Sequence, residues 1–328
     1  MTIRSVGIIG AGFAGLSTAK VLRAFGFEVT VFEKEPDVGG VWAASRRYPG
    51  LTTQNPRTTY ALSDFPMPAS YPEWPSGQQV QAYLQSYAEH FGLVPFLRMS
   101  TTVESAVLDE EAGVWTVQAR RAATGQGGAL PAEVYRFDYL VVCNGIFSEP
   151  AVPQYPGADA FVAAGGRVCH TSQFNDAGEA RGNFRLYRSI LPVAMPRLAF
   201  NGYNSSFFSQ LNCEIGALWL ANHLRGGQQL PPPDQMNAQI DRRLAWMEER
   251  TDGKHSKGTN IIPFSVHNID ELLQDMGLPL GVLTRFKQWL RPVDPSDYAV
   301  VTRQLLARHA NATVAVAAPQ ATSGAAAS

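Results

Sequence analysis

The amino-acid sequence predicts an α/β fold in which a parallel sheet carries a dinucleotide-binding turn. Residues 3–9, IRSVGII, form an apolar strand, and the glycine-rich segment GAGFAG follows directly. LSTAKVLRAFGF comes next, with apolar residues at helical intervals, and EVTVFEK then indicates a second strand. Strand, glycine turn, helix and strand in this order are typical of a Rossmann-like unit.

The glycine turn has the G-x-G-x-x-G spacing. Gly10 permits the tight turn, Gly12 lets the backbone approach a pyrophosphate, and Gly15 lets helix and strand pack closely. The helix N-terminus offers free N–H groups and a positive dipole end to phosphates. Glu33, at the end of the second strand, can accept hydrogen bonds from ribose hydroxyls. NAD and FAD use the same motif, so the motif does not decide between them.

Composition narrows the possible partners. The chain has 328 residues, is 45% hydrophobic and carries a net charge of −1. It has no Lys/Arg-rich block, so we expect neither nucleic acid nor a membrane as partner. Its three cysteines, Cys143, Cys169 and Cys213, are odd in number and far apart, which favours a reducing, cytoplasmic location over disulfides or a metal site.

The remaining segments predict three layers around the sheet and a helical C-terminal half. VESAVLDE, GVWTVQAR and EVYRFDYLVV indicate a three-stranded antiparallel β-meander, and FFSQLNCEIGALWLANHLRG indicates a long amphipathic helix. PSGQQVQAYLQSYAEHFG and PDQMNAQIDRRLAWMEER indicate two further helices, with apolar stripes at Val80, Leu84 and Tyr87 and at Met236, Ile240, Leu244 and Met247. We expect residues 1–182 to form the first part of the dinucleotide-binding domain, including the meander. Residues 183–310 continue that domain and add helices, and residues 311–328, small and uncharged, form a disordered tail.

Several longer motifs occur in series along the chain. They are EKEPDVGGVW, RYPGLTTQNP, DFPMP, YLVVCNGIFSEPAVPQYPG, GRVCHTSQF, LAFNGYNSSF and IDELLQDMGLP. In this order they resemble the class B flavoprotein monooxygenases, which comprise the flavin-containing monooxygenases and their Baeyer–Villiger relatives. GRVCHTSQF resembles the family's G-x-x-x-H-x-x-x-F motif, in which His170 supports the domain junction and is not catalytic.

The resemblance implies that the cofactor is FAD. It assigns the contacts to pyrophosphate, ribose, adenine and flavin to the following residues: Gly10, Gly12, Phe13, Ala14, Gly15, Glu33, Lys34, Gly40, Val41, Trp42, Thr53, Gln54, Val103, Asn144, Gly145 and Gly202. For Trp42 simple packing is the alternative, and Val103 is alternatively an ordinary strand residue.

Gln54 is the candidate catalytic residue. The family places Asn or Asp at this position, and a Gln amide can donate to the flavin edge or to a peroxide without adding charge. The alternative is that Gln54 satisfies a buried backbone group. Tyr203 and Asn204 are candidate substrate contacts and alternatively turn residues before a helix, which Ser205 or Ser206 would cap.

A second nucleotide-binding unit is missing from the sequence. In the family, G-x-x-x-H leads into a second glycine turn that binds NADPH. Here only residues 183–197 separate that motif from LAFNGYN, whereas a βαβ unit needs about 30 residues. We therefore interpret the chain as lacking the NADPH-binding domain, by natural loss or by engineering.

The expected function is that of an FAD-dependent monooxygenase acting on a small molecule and O2. By resemblance, a C4a-peroxyflavin would oxygenate a soft nitrogen or sulfur atom, and reduction by NADPH would be weak and uncoupled. Two alternatives stay open: an FAD oxidase that takes electrons directly from its substrate, and a non-catalytic flavin-binding scaffold. Loss of a domain exposes surface, so a homodimer is also possible.

Overall fold

The computed structural model describes residues 3–47, 50–123, 130–145, 163, 185–203, 206–251 and 264–317. Its strands are β1 Ser5–Ile9, β2 Glu28–Phe32, β3 Leu97–Arg98, β4 Thr101–Asp109, β5 Val114–Arg121, β6 Glu133–Phe137, β7 Tyr139–Val142, β8 Leu186–Tyr187, β9 Leu191–Pro192 and β10 Leu198–Phe200. Its α-helices are α1 Phe13–Ala24, α2 Gly77–His90, α3 Ser209–Leu224, α4 Pro233–Thr251, α5 Ser265–Asp275, α6 Val282–Leu290 and α7 Ala299–Ala317.

The central sheet is parallel, with strand order β10-β7-β1-β2-β3. Its strands are short, and most of their residues are apolar because helices cover one face and the meander covers the other. Val31 packs with the helices on one face, whereas its neighbour Phe32 packs on the other face with Trp115 and Val117 of the antiparallel meander β4-β5-β6. Helices, parallel sheet and meander are three layers, which confirms the predicted fold class.

The segment EVYRFDYLVV was predicted as one meander strand, and this is wrong. It divides at Asp138 into β6, which pairs with β5, and β7, which pairs with β1 in the central sheet. The Asp138 carboxylate accepts hydrogen bonds from the N–H groups of Arg4 and Ser5, at 2.8 and 2.9 Å. These bonds fix the bend between the two sheets.

The prediction of α3 as amphipathic is also wrong, because the helix is buried almost all round. It lies among α1, α5 and α7, and two of its buried polar side chains bond inside the protein, Glu214 to Ser63 and Asn212 to Asn268. The stripes predicted for the other two helices are confirmed: Val80, Leu84 and Tyr87 of α2 are fully buried. On α4, Met236, Ile240 and Met247 are buried and Leu244 is partly buried.

The end of the described chain differs from the prediction of a disordered tail. α7 continues to Ala317, so it includes the first seven residues of that segment. This stretch contains neither proline nor glycine, the two residues that most strongly oppose a helix, until Pro319. Residues 318–328 lie outside the described residues. Among the helices that the structure describes, none combines the length and apolar character needed to cross a membrane.

Candidate functional site

The predicted cofactor residues cluster at the carboxyl edge of the central sheet. Gly10 follows β1, Glu33 follows β2, Asn144 follows β7 and Gly202 follows β10. The strand order reverses at β1, because β2 lies on one side of it and β7 on the other. Open α/β sheets bind ligands in the crevice at such a reversal.

The glycine turn has the geometry that its spacing predicts. Gly10 has a φ of +104°, and a Cβ atom there would lie 2.5 Å from the carbonyl oxygen of Cys143. A Cβ atom on Gly15 would lie 1.8 Å from the carbonyl oxygen of Gly10, so only glycine lets α1 pack this closely. Gly12 is the N-cap of α1, and its Cβ position is 3.6 Å from the Cα atom of Gly40.

The N-terminus of α1 fits a diphosphate. The first N–H groups of a helix, here those of Phe13, Ala14 and Gly15, have no partner within the helix. The Gly12 cap supplies no side-chain acceptor, and no acidic residue lies in the first turn. No side chain of α1 itself therefore neutralises the positive end of the helix dipole, and N–H donors without helical partners suit an anionic ligand.

A second turn lies against the glycine turn. Gly39 donates its N–H to the carbonyl oxygen of Ala11 at 3.1 Å, and Gly40–Trp42 forms a 3-10 turn in which Gly40 has a φ of +59°. Val41 is 45% exposed. Trp42 is buried and packs edge-on against Tyr60, with ring centroids 5.7 Å apart. This arrangement favours the packing interpretation for Trp42, while Gly40 lies against the glycine turn, with its Cβ position 3.2 Å from the Cα atom of Gly12.

Glu33 holds the glycine turn in shape. Its side chain is buried, with Oε2 accepting from the Ala11 N–H at 2.7 Å and Oε1 accepting from the Glu35 N–H at 3.0 Å. A carboxylate has about four lone-pair sites, so acceptor capacity remains for a ribose hydroxyl. Lys34 is exposed beside it. The side chain of Val103 packs in the core between sheet and meander, which favours the strand interpretation for that side chain.

The far side of the crevice is formed after β7 and β10. Asn144 is exposed, and Gly145 has a φ of +71°, with no atom of the described residues within 4 Å of its Cβ position. Gly202, with a φ of +75°, approaches α1 so closely that its Cβ would lie 2.5 Å from the Cβ of Ala14. Tyr203 is partly buried and packs edge-on against Phe200, and burial raises the pKa of its hydroxyl.

Some predicted residues fall outside the described residues. They are Asn204 of the candidate substrate contacts, Ser205, and the motif residues Gly166, His170 and Phe174. Ser206 is described and does not cap α3, because the N-cap residue is Phe208. The Ser206 Oγ atom instead accepts a hydrogen bond from the N–H of Phe208 at 3.0 Å.

The 51–65 loop carries the candidate catalytic residue. Thr53 is buried and donates its N–H to the carbonyl oxygen of Pro75 at 2.9 Å, whereas the Gln54 side chain is exposed. An exposed amide does not satisfy a buried group, so the structure disfavours that alternative for Gln54. Asn55 Nδ2 donates to the carbonyl oxygen of Phe207 at 2.7 Å. The loop is thereby attached to the segment that follows Gly202.

Three residues at the site were missed in the sequence. Ala11 supplies the N–H that holds Glu33, and Asn55 attaches the 51–65 loop. Asn201 is buried and donates to Thr18 Oγ1 at 2.8 Å and to the Cys213 carbonyl oxygen at 2.9 Å, which joins β10 to α1 and α3. A usable signal existed for Asn201, because a polar residue between an apolar strand and a glycine marks the carboxyl edge of a sheet.

Comparisons with known proteins agree with this geometry. The family model described as flavin-binding monooxygenase-like matches residues 3–183. Dimethylaniline monooxygenase (N-oxide-forming) 4 from Rattus norvegicus is 33% identical over 192 residues, covering 55% of this chain and 32% of the relative. The flavin-containing monooxygenase FMO GS-OX3 from Arabidopsis thaliana is 28% identical over 262 residues, covering 68% of this chain and 54% of the relative.

Among solved structures, S-allyl-L-cysteine S-oxygenase from Allium sativum superposes with a TM-score of 0.67 at 19% identity, covering 96% of this chain and 100% of that chain. At this identity the likeness shows the fold alone. The chain spans about a third to a half of the length of the two curated relatives. The family model matches more than half of the chain, and the matched part contains the glycine turn, Glu33 and the 51–65 loop. The chain belongs to the flavin-binding monooxygenase-like family.

Proposed function

We propose that this chain is an FAD-dependent monooxygenase with a single nucleotide-binding unit. The observation that carries the proposal is the crevice at the strand-order reversal, where the glycine turn, Glu33 and Gly202 lie together. When bound, FAD supplies the redox chemistry that activates O2 for transfer of one oxygen atom to a substrate.

The residues of this chain bind and orient the cofactor. The N–H groups at the start of α1 hold the pyrophosphate, and Glu33 accepts from the ribose while it fixes Ala11. Gly145, whose Cβ position meets no described atom within 4 Å, would leave backbone surface for the dinucleotide, and the close packing of Gly202 on Ala14 holds β10 beside the start of α1. Gln54 presents a neutral amide at the flavin, where it donates a hydrogen bond without adding charge.

The proposal includes the absence of an NADPH-binding domain. Residues 185–197 contain the short hairpin β8–β9, and the chain then returns to the same sheet through β10. The alignment with the Arabidopsis relative is 262 residues long but covers only 68% of this 328-residue chain. The aligned length therefore exceeds the number of residues that this chain contributes to it, as expected when an internal segment is missing from this chain. Without a bound nicotinamide, a flavin held here would be reduced only slowly by NADPH, and O2 would take up the two electrons and two protons as hydrogen peroxide.

The proposed substrate is a small molecule with a soft nitrogen or sulfur atom. The relative from Rattus norvegicus is named for N-oxide formation. The neutral amide at Gln54 agrees with oxygenation of a heteroatom. Tyr203 and Asn204, which follow Gly202 in the sequence, are the proposed substrate contacts.

The test uses photoreduction, because it bypasses NADPH. The purified protein is analysed for bound FAD, reduced by light under argon, mixed with a thioether and exposed to O2. Sulfoxide in an amount comparable to the flavin supports the proposal, and Gln54→Ala should lower that yield. Peroxide without sulfoxide identifies a flavin-binding scaffold. Bleaching of the flavin by an organic substrate under argon, without light or nicotinamide, identifies an FAD oxidase.

A further inference from the structure

A cluster of charged side chains, largely buried, holds the end of the 51–65 loop. Glu214 of α3 is fully buried, and its Oε2 and Oε1 atoms accept from the Ser63 N–H at 2.8 Å and the Ser63 Oγ at 2.9 Å. Lys20 of α1 lies 2.5 Å from Asp64 Oδ2 and 3.7 Å from Glu214 Oε1. The Tyr83 hydroxyl of α2 accepts from the Leu62 N–H at 2.9 Å. Three helices therefore hold residues 62–64.

Stability alone does not explain this cluster. One ammonium group faces two carboxylates, and a buried ion pair often contributes less to stability than apolar residues of the same volume. Burial also raises the pKa of Glu214, although Lys20 opposes the rise. Buried ionic groups in such cases can serve to fix one arrangement of the chain. Here the fixed element is the loop that carries Gln54.

The loop is attached at two points to one stretch of chain. Asn55 bonds to the backbone of Phe207, just before α3, and Ser63 bonds to Glu214 within α3. Gly202 lies five residues before Phe207 in the sequence. The position of Gln54 relative to Gly202 thus depends on both attachments.

We propose that Glu214 is a positioning residue for the flavin site, since its bonds to Ser63 hold the 51–65 loop and so place Gln54 at the flavin. The proposal rests on the proposed function for the role of Gln54. The attachment of the loop itself does not depend on a bound cofactor.

The test compares three variants of α3. Glu214→Met removes both acceptors at similar length, whereas Glu214→Gln keeps one acceptor for the Ser63 N–H and donates to the Ser63 Oγ. Asn222→Met is the matched control. Asn222 is fully buried on the same helix and bonds to Gln228 and His309, each at 2.8 Å, away from the loop.

The readouts are amide hydrogen exchange in peptides from residues 51–65 and the visible circular dichroism of bound FAD. An unsatisfied buried N–H should accelerate exchange in Glu214→Met by roughly tenfold or more. Glu214→Gln should stay close to the wild type, and Asn222→Met should not change exchange in these peptides. The flavin circular dichroism should change in Glu214→Met only.

Unchanged exchange in Glu214→Met, or equal acceleration in Asn222→Met, would overturn the proposal, as would unchanged flavin circular dichroism in Glu214→Met. If Glu214→Met does not fold, Ser63→Ala tests the same attachment. Amide exchange in peptides from residues 51–65 should then be faster than in the wild type, and unchanged exchange would contradict the proposal. A wild-type protein without FAD would defeat the proposed function. Exchange in the FAD-free protein would still decide whether Glu214 holds the loop.

Discussion

Gly12→Ala should separate cofactor binding from stability. Gly12 caps α1 with φ −83° and ψ −165°, an extended conformation that alanine also adopts. The added Cβ would lie 3.6 Å from the Cα of Gly40, which is ordinary van der Waals contact. The free energy of unfolding without FAD should therefore fall by about 1 kcal/mol or less. The methyl group, however, occupies the space that the pyrophosphate approaches, so the Kd for FAD should rise at least about tenfold, or ~1.4 kcal/mol.

Gly281→Ala is the matched control. Gly281 is also an N-cap glycine, of α6, with φ −62°, ψ 152° and open space around its Cβ position. Its substitution should change stability by about as much as Gly12→Ala. Because it lies outside the crevice, FAD binding should be unchanged. Denaturant unfolding of the FAD-free proteins and fluorescence titration with FAD measure the two quantities.

Gly15→Ala completes the comparison. Its Cβ would lie 1.8 Å from the carbonyl oxygen of Gly10, and a backbone atom cannot move aside cheaply. We expect a loss of about 1–3 kcal/mol or more in stability, together with weaker FAD binding. Wild-type FAD affinity in Gly12→Ala would refute the assignment of the pyrophosphate to this turn. An undisturbed Gly15→Ala would refute the close packing of α1 on the turn.

Three further outcomes are expected. Gly202→Ala would place a Cβ atom 2.5 Å from the Cβ of Ala14 at a residue whose φ is +75°. Thermal unfolding should therefore show a loss of about 1–3 kcal/mol in the free energy of unfolding, and an unchanged Tm would contradict the packing. Burial raises the pKa of Cys143 to about 12 and also raises that of Cys213. Mass spectrometry should therefore find both thiols unalkylated by iodoacetamide in the native protein near pH 8 and labelled only after denaturation. Burial raises the folded-state pKa of Glu214, so the stability of the wild type relative to Glu214→Gln should be greatest at acidic pH and fall as pH rises past the ordinary pKa of a glutamate side chain, as measured by urea unfolding. The opposite slope would contradict the burial argument.

The glycine turn could be predicted because its determinants are local. Gly10, Gly12 and Gly15 are defined by their spacing along one strand–helix unit. In the structure, backbone atoms approach Gly10 and Gly15 closely, and Gly12 caps the helix with space beside its Cα atom. The same is true of the buried stripes of α2 and α4, which follow the helical period. The three-layer arrangement follows from these elements and their order.

The attachments between distant segments could not be predicted. Asn55 and Phe207 are 152 residues apart, and Ser63 and Glu214 are 151 residues apart, so no local pattern connects them. The same contacts explain the error in α3. Its polar side chains indicate a solvent-facing side in the sequence, but Glu214 bonds to Ser63 inside the protein.

The break at Asp138 was missed for a related reason. EVYRFDYLVV has one continuous strand-like pattern, and only the bonds from Arg4 and Ser5 to Asp138 show that the chain changes sheets. Likewise, the Ala11 N–H that holds Glu33 belongs to the glycine turn but carries no side-chain signal. Sequence spacing predicted the glycine turn, and the structure showed which contacts hold that turn in place.

The most direct test of the central claim is an anaerobic titration of the purified yellow protein with NADPH, followed at the flavin absorbance bands. One flavin site without a nicotinamide partner predicts a full FAD spectrum and slow bleaching whose rate rises linearly with NADPH concentration. Rapid reduction that saturates with NADPH would contradict the account, because saturation requires a bound nicotinamide complex.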